Sequence, residues 1–256
     1  MELHIDLNCD LGEYRSIEEE RKEIAIMPYL SSTNIACGIH AGDHSSIRST
    51  ARRAAEHDLG VGAHPSFPDR DNFGRKAMNL PDDKLREVVR HQIEEFVNHA
   101  LAVGAVMTHV KAHGALYNMA AVDINMATII CETIKDFNAD LFVFGLANSC
   151  WVGAAEAVGI ELVAEAFADR RYLSGCELVP RTNQQALITD VEEAEQQVIR
   201  LIEQNLVTGL GDVNYGVAPG TICIHGDGVN ALSIVSNLRF SLTKRGVQVG
   251  YPKICR

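Results

Sequence analysis

Seven short apolar runs alternate with amphipathic helical patterns along almost the whole chain of 256 residues, and this alternation limits the possible folds more than any other feature. Repeated strand–helix units predict a parallel sheet covered by helices, either open or closed into a barrel. The predicted strands are 3–7, 33–37, 60–63, 106–112, 141–145, 161–166 and 221–225. The predicted helices are 45–58, 81–103, 122–138, 148–158, 190–206 and 229–245, with a short or irregular one near 19–30. Thr189 and Glu192 have the spacing of a capping box at the start of 190–206.

Polar side chains occupy one face of several predicted strands. In the first strand His4, Asp6, Asn8 and Asp10 fall on one phase of the two-residue strand repeat, and apolar residues fall on the other. Similar polar phases recur in 34–40, 107–113 and 221–227. Burying an unpaired polar group costs roughly 2–7 kcal/mol. These side chains therefore indicate one shared site, in which they meet each other, water or a ligand.

Polar clusters follow six of the seven predicted strands, all except 141–145. An open sheet concentrates its chemistry at one switch point, whereas a barrel collects residues from the carboxyl ends of many strands. No G-x-G-x-x-G follows the first strand, which disfavours a dinucleotide-binding sheet. We therefore predict a barrel one unit short of eight. Since no linker or composition break interrupts residues 1–256, we expect a single domain.

The composition narrows the class of protein. A formal net charge of −11 argues against nucleic acid or an anionic membrane as a partner. No apolar run approaches the roughly 20 residues that span a bilayer, and no secretory signal is recognisable. Seven widely spaced cysteines without a C-x-x-C indicate reduced thiols in a cytoplasmic protein. Those beside the polar clusters are either nucleophiles or, as we favour, small buried hydrophobes: Cys9, Cys37 and Cys223.

Carboxylates and imidazoles in neighbouring clusters suit acid–base hydrolysis. Asp6 or Asp10 is placed to take a proton from water, and His64 or His113 to give one to a leaving group. Lys111, on the same phase as His113, suits an oxyanion or a phosphate. The alternative is a purely structural lattice of buried ion pairs.

Three arginines and a histidine pair indicate ligand binding. Guanidinium groups bind carboxylate or phosphate with two hydrogen bonds, which makes candidates of Arg75, Arg170 and Arg181. His40 and His44 have the i,i+4 spacing that places two imidazoles on one face of a helix. With Asp10 they would form a two-histidine, one-carboxylate metal site, although His44 also suits a plain surface position. No G-x-x-x-x-G-K-[ST] is present, so any nucleotide is bound by another chain or by a different architecture.

The chain resembles the LamB/YcsF lactam-utilisation family. The resemblance rests on motifs that occur in the family's order: 6–13 (DLNCDLGE), 34–43 (NIACGIHAGD), 113–118 (HGALYN), 167–172 (FADRRY), 179–181 (VPR) and 224–227 (IHGD). It implies a distorted (β/α)7 TIM-like barrel of the glycoside hydrolase and deacetylase type. It also implies ATP-dependent opening of 5-oxo-L-proline to L-glutamate, together with two further 5-oxoprolinase subunits, B and C. The lack of a phosphate-binding loop motif favours the hypothesis that these partners bind the ATP.

The matching motifs and the polar phases together supply the candidates for substrate binding. These are Asn8, Glu13, Asn34, His40, Arg75, Tyr117, Glu165, Asp169, Arg170, Arg181, His225 and Asp227. The chain departs from the family pattern in three places. Tyr14-Arg15-Ser16 replaces a Gly-Phe-Gly stretch, which removes backbone freedom and allows a diverged substrate or weak activity. Ala112 and His44 each replace a proline and leave the functional side chains in place.

Three functions therefore stay open. The leading one is the hydrolytic subunit of a 5-oxoprolinase. The second is a self-sufficient amidase or deacetylase with a divalent metal on Asp10, His40 and His44. The third is a noncatalytic scaffold that positions other subunits.

Overall fold

Seven parallel strands close into a barrel in the computed structural model, which describes residues 3–174 and 177–252. The strands are β1 (His4–Leu11), β2 (Ser32–Ala36), β3 (Gly60–His64), β4 (Met107–Lys111), β5 (Phe142–Leu146), β6 (Leu162–Phe167), β7 (Tyr172–Ser174), β8 (Glu177–Leu178), β9 (Leu206–Thr208), β10 (Asn214–Gly216), β11 (Thr221–His225) and β12 (Gln248–Val249). The order around the barrel is β1 to β6 and then β11, which returns to β1 with Asp6 opposite Thr221. All seven predicted barrel strands are present, and the predicted (β/α)7 barrel is confirmed.

Helices follow the barrel strands as the periodicity predicts. They are α1 (Ile17–Ile26), α2 (His44–Glu56), α3 (Asp82–Leu101), α4 (Gly114–Val122), α5 (Ile124–Phe137), α6 (Cys150–Val158), α7 (Val191–Gln204) and α8 (Ala231–Lys244). The capping box predicted at Thr189 is wrong by one residue, because the Asp190 side chain accepts a hydrogen bond from the Glu193 amide. Helix α4 was not predicted: it is apolar on most of its surface and so lacks an amphipathic pattern.

Two short antiparallel strand pairs were also not predicted from the sequence. Strands β7 and β8 pair antiparallel, as do β9 and β10, and each strand has only two or three residues. Strand β12 adds to the beginning of β1. Runs this short carry too few alternating positions to predict a strand.

The two faces of the barrel strands have opposite chemistry. In β1, the side chains of Ile5, Leu7, Cys9 and Leu11 are almost fully buried in the hydrophobic core. The other phase points into the barrel, where Asp6 and Asn8 are completely buried but hydrogen-bonded to polar groups of neighbouring strands. The polar phases therefore do meet inside the barrel.

No single helix of the described residues is both long and apolar enough to cross a membrane; the bent pair α4 and α5 passes that test only when taken together. Cys9, Cys37, Cys131, Cys150 and Cys223 are free thiols, as predicted. The prediction for Cys176 and Cys255 concerns positions outside the described residues.

Candidate active site

A cavity of about 660 Å³ opens at the carboxyl ends of the barrel strands. Its wall brings together side chains from sequence segments that are far apart, and eleven of the predicted site residues line it. They are Asp10, Glu13, His64, Arg75, Lys111, His113, Tyr117, Arg170, Arg181, His225 and Asp227. Convergence at one rim is the arrangement that the recurring polar phases indicate.

His64 and His113 form the centre of the site. The Nε2 atom of His64 lies 2.9 Å from Nδ1 of His113 and 3.3 Å from Oδ2 of Asp10. The other nitrogen of each ring faces a backbone carbonyl: His64 Nδ1 lies 2.7 Å from Lys111 O, and His113 Nε2 lies 2.9 Å from Phe73 O. Since a carbonyl only accepts, both of these outer nitrogens carry the proton.

Lys111 supplies a fixed positive charge beside this pair. Its Nζ atom lies 3.0 Å from Asp10 and 2.8 Å from Glu165. Burial opposes the ammonium charge, but Asp10, Cys223 and Glu165 raise the pKa of Lys111 well above its usual value. Burial likewise opposes ionisation of Asp10, but His64 and Lys111 hold the pKa of Asp10 well below its usual value. A carboxylate and an ammonium therefore coexist at the base of the cavity.

Glu13 approaches the centre from the loop after β1. Its Oε1 atom lies 2.9 Å from His40 Nε2 and 3.4 Å from His113 Nδ1. The His40 ring stacks on His113 with centroids 3.8 Å apart. His40 thus supports the site from behind and does not line the cavity.

Glu23, which the sequence reasoning missed, fixes that loop. Its carboxylate accepts hydrogen bonds from the backbone N–H groups of Gly12 and Glu13, at 2.7 and 3.1 Å. Burial raises the pKa of Glu23 to about 8. The available signal was an acidic residue one helical turn before the buried Ile26, on the inner face of α1.

His225 enters the cavity from the end of β11. The Asp169 carboxylate accepts from the His225 backbone N–H at 2.9 Å and lies 2.9 Å from its Nδ1 atom. The ring also stacks on Phe167, with centroids 5.5 Å apart. Asp169 is therefore a positioning residue for His225 and does not line the cavity itself.

Arginines flank the mouth of the cavity. Arg75 and Arg181 approach the same carboxylate, Asp227, at 3.3 and 3.9 Å. Arg170 is mostly buried in the wall and donates to the Val179 carbonyl, and burial lowers the pKa of its guanidinium to about 10. Arg75 and Arg181 are thus the two better placed to bind an anionic group of a ligand.

Several predicted site residues lie below the cavity instead of lining it. Asp6, expected as a possible catalytic base, is completely buried in the barrel, where hydroxyl groups of Ser31, Ser32 and Thr221 donate to it. That expectation is wrong, because these three contacts occupy both carboxylate oxygens away from the cavity.

The buried amides next to Asp6 also have structural roles. Asn34 donates to Asn8 at 2.7 Å and to Asp10 at 2.9 Å, and Asn8 donates to Glu165 at 2.9 Å. These side chains, expected to bind substrate, lie beneath the cavity and orient the carboxylates that flank Lys111. Tyr117 does line the cavity, and burial together with nearby Glu165 raises the pKa of its hydroxyl well above the usual value.

The cysteines near the site are poor nucleophiles. Burial raises the pKa of Cys37 to about 12 and raises the pKa values of Cys9 and Cys223 well above normal. Because the thiolate is the reactive form, these residues act as small buried side chains, the alternative we favoured from the sequence.

The metal site expected on Asp10, His40 and His44 does not form. His40 precedes α2, which begins only at His44, so the two imidazoles do not share a helix face. The His44 ring is exposed and lies beside Glu95 and His99. Within the described residues, other groups have potential ligand atoms within 4.8 Å of one another: Glu13, His40, His64 and His113; Asp10, Cys223 and His225; and His44, Glu95 and His99.

The replaced Gly-Phe-Gly stretch lies beside the cavity. Ser16 caps α1 by accepting from the Glu19 amide, and the Arg15 guanidinium lies 5.3 Å from the Phe73 ring centroid. Tyr14, Arg15 and Ser16 line a neighbouring cavity of about 820 Å³ and do not line the one that holds His64 and His113.

Comparison with known proteins agrees with the fold and the motifs. Residues 5–254 match the family model described as LamB/YcsF family. A curated relative from Staphylococcus carnosus, named as the A subunit of 5-oxoprolinase, is 40% identical over 96% of this chain and 98% of its own length.

Two solved structures extend the comparison. A lactam utilization protein from Thermus thermophilus is 35% identical and superposes with a TM-score of 0.87, over 97% of this chain and 99% of that one. The catalytic domain of a peptidoglycan N-acetylglucosamine deacetylase from Eubacterium rectale has a TM-score of 0.53 at 10% identity, over 99% of this chain and 90% of that one, and shows a shared fold only. The full-length family match and the 40% identical relative establish that the chain belongs to the LamB/YcsF family.

Proposed function

We propose that this chain is the lactam-opening subunit of a cytoplasmic 5-oxoprolinase, which converts 5-oxo-L-proline to L-glutamate at the expense of ATP. The observation that carries the proposal is the full-length identity of about 40% to relatives named as the A subunit of 5-oxoprolinase. The cavity supports it, because proton-transfer groups and a fixed cation meet there.

Hydrolysis of the lactam requires that the ring first be activated. A five-membered lactam is a stable amide, and phosphorylation of its oxygen makes the ring carbon a far better electrophile for water. Asp10, Glu13, His64 and His113 supply groups that exchange protons with water and with the ring nitrogen. Lys111 lies beside Asp10, where its ammonium stabilises negative charge that develops on oxygen.

The substrate also carries a carboxylate, and the activated form carries a phosphate. Arg75 and Arg181 flank the cavity with their guanidinium groups near Asp227. An incoming carboxylate or phosphate would replace Asp227 as their partner and gain paired hydrogen bonds. We therefore assign these arginines to substrate binding.

The relatives are named as one lettered subunit of an enzyme, which indicates a complex of several subunits, and we propose two partners, B and C. ATP is bound by these partners in this proposal, in line with the lack of a phosphate-binding loop motif in the sequence. This chain then hydrolyses the phosphorylated lactam that its partners produce.

Reconstitution tests the proposal. The chain is mixed with candidate B and C subunits, and glutamate release from 5-oxoproline is followed with and without ATP. Glutamate should appear only with all three chains and ATP, and a phosphorylated intermediate should accumulate when this chain is omitted. ATP turnover by this chain alone would contradict the division of labour.

A His113→Ala variant separates catalysis from scaffolding. If the chain opens the lactam, the variant assembles with B and C but releases little glutamate. Full activity in an assembled His113→Ala complex would remove His113 from the catalytic groups and favour a scaffold.

A further inference from the structure

The protonation pattern of the central histidines leaves an electrostatic conflict. Each ring donates its outer N–H to a backbone carbonyl, Lys111 O for His64 and Phe73 O for His113. A neutral imidazole has only one N–H. When both rings are neutral, the inner atoms, His64 Nε2 and His113 Nδ1, present lone pairs to each other at 2.9 Å.

Two carboxylates lie close to the contact between these inner nitrogens. Asp10 Oδ2 lies 3.3 Å from His64 Nε2, and Glu13 Oε1 lies 3.4 Å from His113 Nδ1. Within the described chain, the ion pairs of Glu13 involve His40 and His113 but no lysine or arginine. One proton shared between the two imidazoles would supply a single positive charge, whereas one divalent cation would attract both inner nitrogens, the Glu13 carboxylate and Oδ2 of Asp10, whose Oδ1 already pairs with Lys111.

We propose that the cluster binds one divalent transition-metal ion, with His64 Nε2 and His113 Nδ1 as nitrogen ligands and Glu13 and Asp10 as carboxylate ligands. Imidazole and carboxylate together suit Zn²⁺ and similar first-row ions. Ligands about 2.1 Å from a tetrahedral ion lie about 3.4 Å apart. The two nitrogen–carboxylate distances, 3.3 and 3.4 Å, match this spacing, and the two nitrogens would separate slightly to admit the ion.

Neighbouring groups form hydrogen bonds with the proposed ligands, as the groups around a bound metal ion usually do. Metal-bound histidines usually donate the second ring N–H to a carbonyl or carboxylate, and both rings do so here. Asn34 donates to Asp10, and Glu23 fixes the backbone N–H of Glu13. His40, 2.9 Å from Glu13, is assigned as a donor to that carboxylate.

In the second group at the rim, Asp10 with Cys223 and His225, the Lys111 ammonium already lies between two of the three side chains. Its Nζ atom is 3.0 Å from Oδ1 of Asp10 and 3.1 Å from Cys223 Sγ, whereas the proposed site uses Oδ2 of Asp10. The third group lies on the surface, where the His44 side chain is 68% exposed. The surface group therefore offers a matched control for the proposed site.

An ion at this position borders the cavity, because all four ligands line it. Such an ion would polarise a substrate oxygen or a bound water. Metal binding rests on this geometry alone and does not require the proposed function to be correct.

Metal binding is measured directly. Protein purified without a histidine tag is stripped with a chelator, dialysed, and titrated with Zn²⁺ and Co²⁺ by calorimetry, with cobalt absorption as a second signal. We expect one ion per chain and a rise in Tm on binding. His64→Ala and Glu13→Gln should each weaken binding at least about tenfold, whereas His44→Ala should not.

Each outcome decides the proposal. Absence of a bound ion in the native chain would overturn it and favour a proton shared between His64 and His113. Loss of binding in His44→Ala, with His64→Ala and Glu13→Gln unaffected, would overturn it in favour of the surface group. If His64→Ala does not fold, the loss or retention of ion binding in Glu13→Gln decides the proposal. A chain that binds the ion but opens no lactam with its partners would refute the proposed function and keep the metal site.

Discussion

The Lys111 ammonium lies 3.0 Å from the Asp10 carboxylate at the base of the cavity. Glu165 lies 2.8 Å away from the same ammonium and is completely buried. One buried cation therefore balances two carboxylates from different strands of the barrel. This contact links the stability of the barrel interior to the chemistry of the rim.

Replacing Lys111 with methionine should affect both stability and activity. Removing one partner of a buried ion pair costs about 3–5 kcal/mol, because the other charge stays buried and unmatched. Urea unfolding of Lys111→Met should show a loss of that size, and glutamate release should fall with it. Lys84→Met, which breaks an exposed pair with Glu87, is the control and should behave like the native chain. A Lys111→Met protein of native stability and activity would show that the buried charges are not coupled.

Replacing Arg181 with alanine should weaken substrate binding more than turnover. A lost guanidinium contact to a substrate anion raises KM, here by about tenfold, if the contact is equally strong in the ground state and the transition state. Steady-state kinetics of the reconstituted complex measure both constants. Arg245→Ala, which removes an outer ion pair with Glu203, should leave KM unchanged. An unchanged KM in Arg181→Ala would place the substrate anion elsewhere.

Asp6 should make the protein less stable as pH rises. Burial raises the pKa of Asp6 to about 6 in the folded chain, against 3.8 for an ordinary aspartate. The folded state holds the proton more tightly, so stability is lost between about pH 4 and pH 6 and then stays level, a loss of about 3 kcal/mol.

Asp6→Asn isolates this effect. The stability of Asp6→Asn relative to the native chain should increase by about that amount between pH 4 and pH 7, because only the native chain carries the Asp6 carboxyl group. Asp83→Asn, on the exposed surface of α3, is the control. Its free energy of unfolding should change with pH in the same way as that of the native chain. If the difference in free energy of unfolding between Asp6→Asn and the native chain stays constant with pH, Asp6 does not hold its proton more tightly in the folded chain.

Gly62 should not tolerate a side chain. A Cβ atom there would lie 2.1 Å from Nε2 of His109. That ring is fixed by a hydrogen-bonding contact of 2.8 Å with Asn34 and by stacking on Phe144. Gly62→Ala should therefore destabilise the barrel by about 1–3 kcal/mol, measured by urea unfolding. Gly153→Ala in α6, where the nearest atom is 3.6 Å away, is the control, and equal stability of the two variants would contradict the close approach.

The sequence was sufficient for the barrel and for the convergence of its polar phases, because strand alternation places side chains such as Asp10 and Lys111 on inward positions. The sequence did not show how deep each inward-facing side chain lies below the cavity. Asp6, Asn8 and Asp10 share one phase, but Asp6 lies two layers below the cavity, where hydroxyls from other strands surround it.

Two other errors have local causes. The helical spacing of His40 and His44 was misleading, since Asp43 caps α2 and leaves His40 outside it. Glu23 was missed because its role depends on backbone N–H groups ten and eleven residues earlier, which have no pattern in the side chains.

The most direct test of the account is glutamate formation by a reconstituted complex that carries Asp10→Asn. Complex assembly is checked by size-exclusion chromatography, and phosphorus NMR follows the phosphorylated lactam. Because general acid–base groups contribute about 10²–10⁴-fold, we expect the assembled variant to release glutamate at least a hundredfold more slowly while the intermediate accumulates. Glutamate release at the native rate by the assembled Asp10→Asn complex would contradict the claim that this rim opens the lactam.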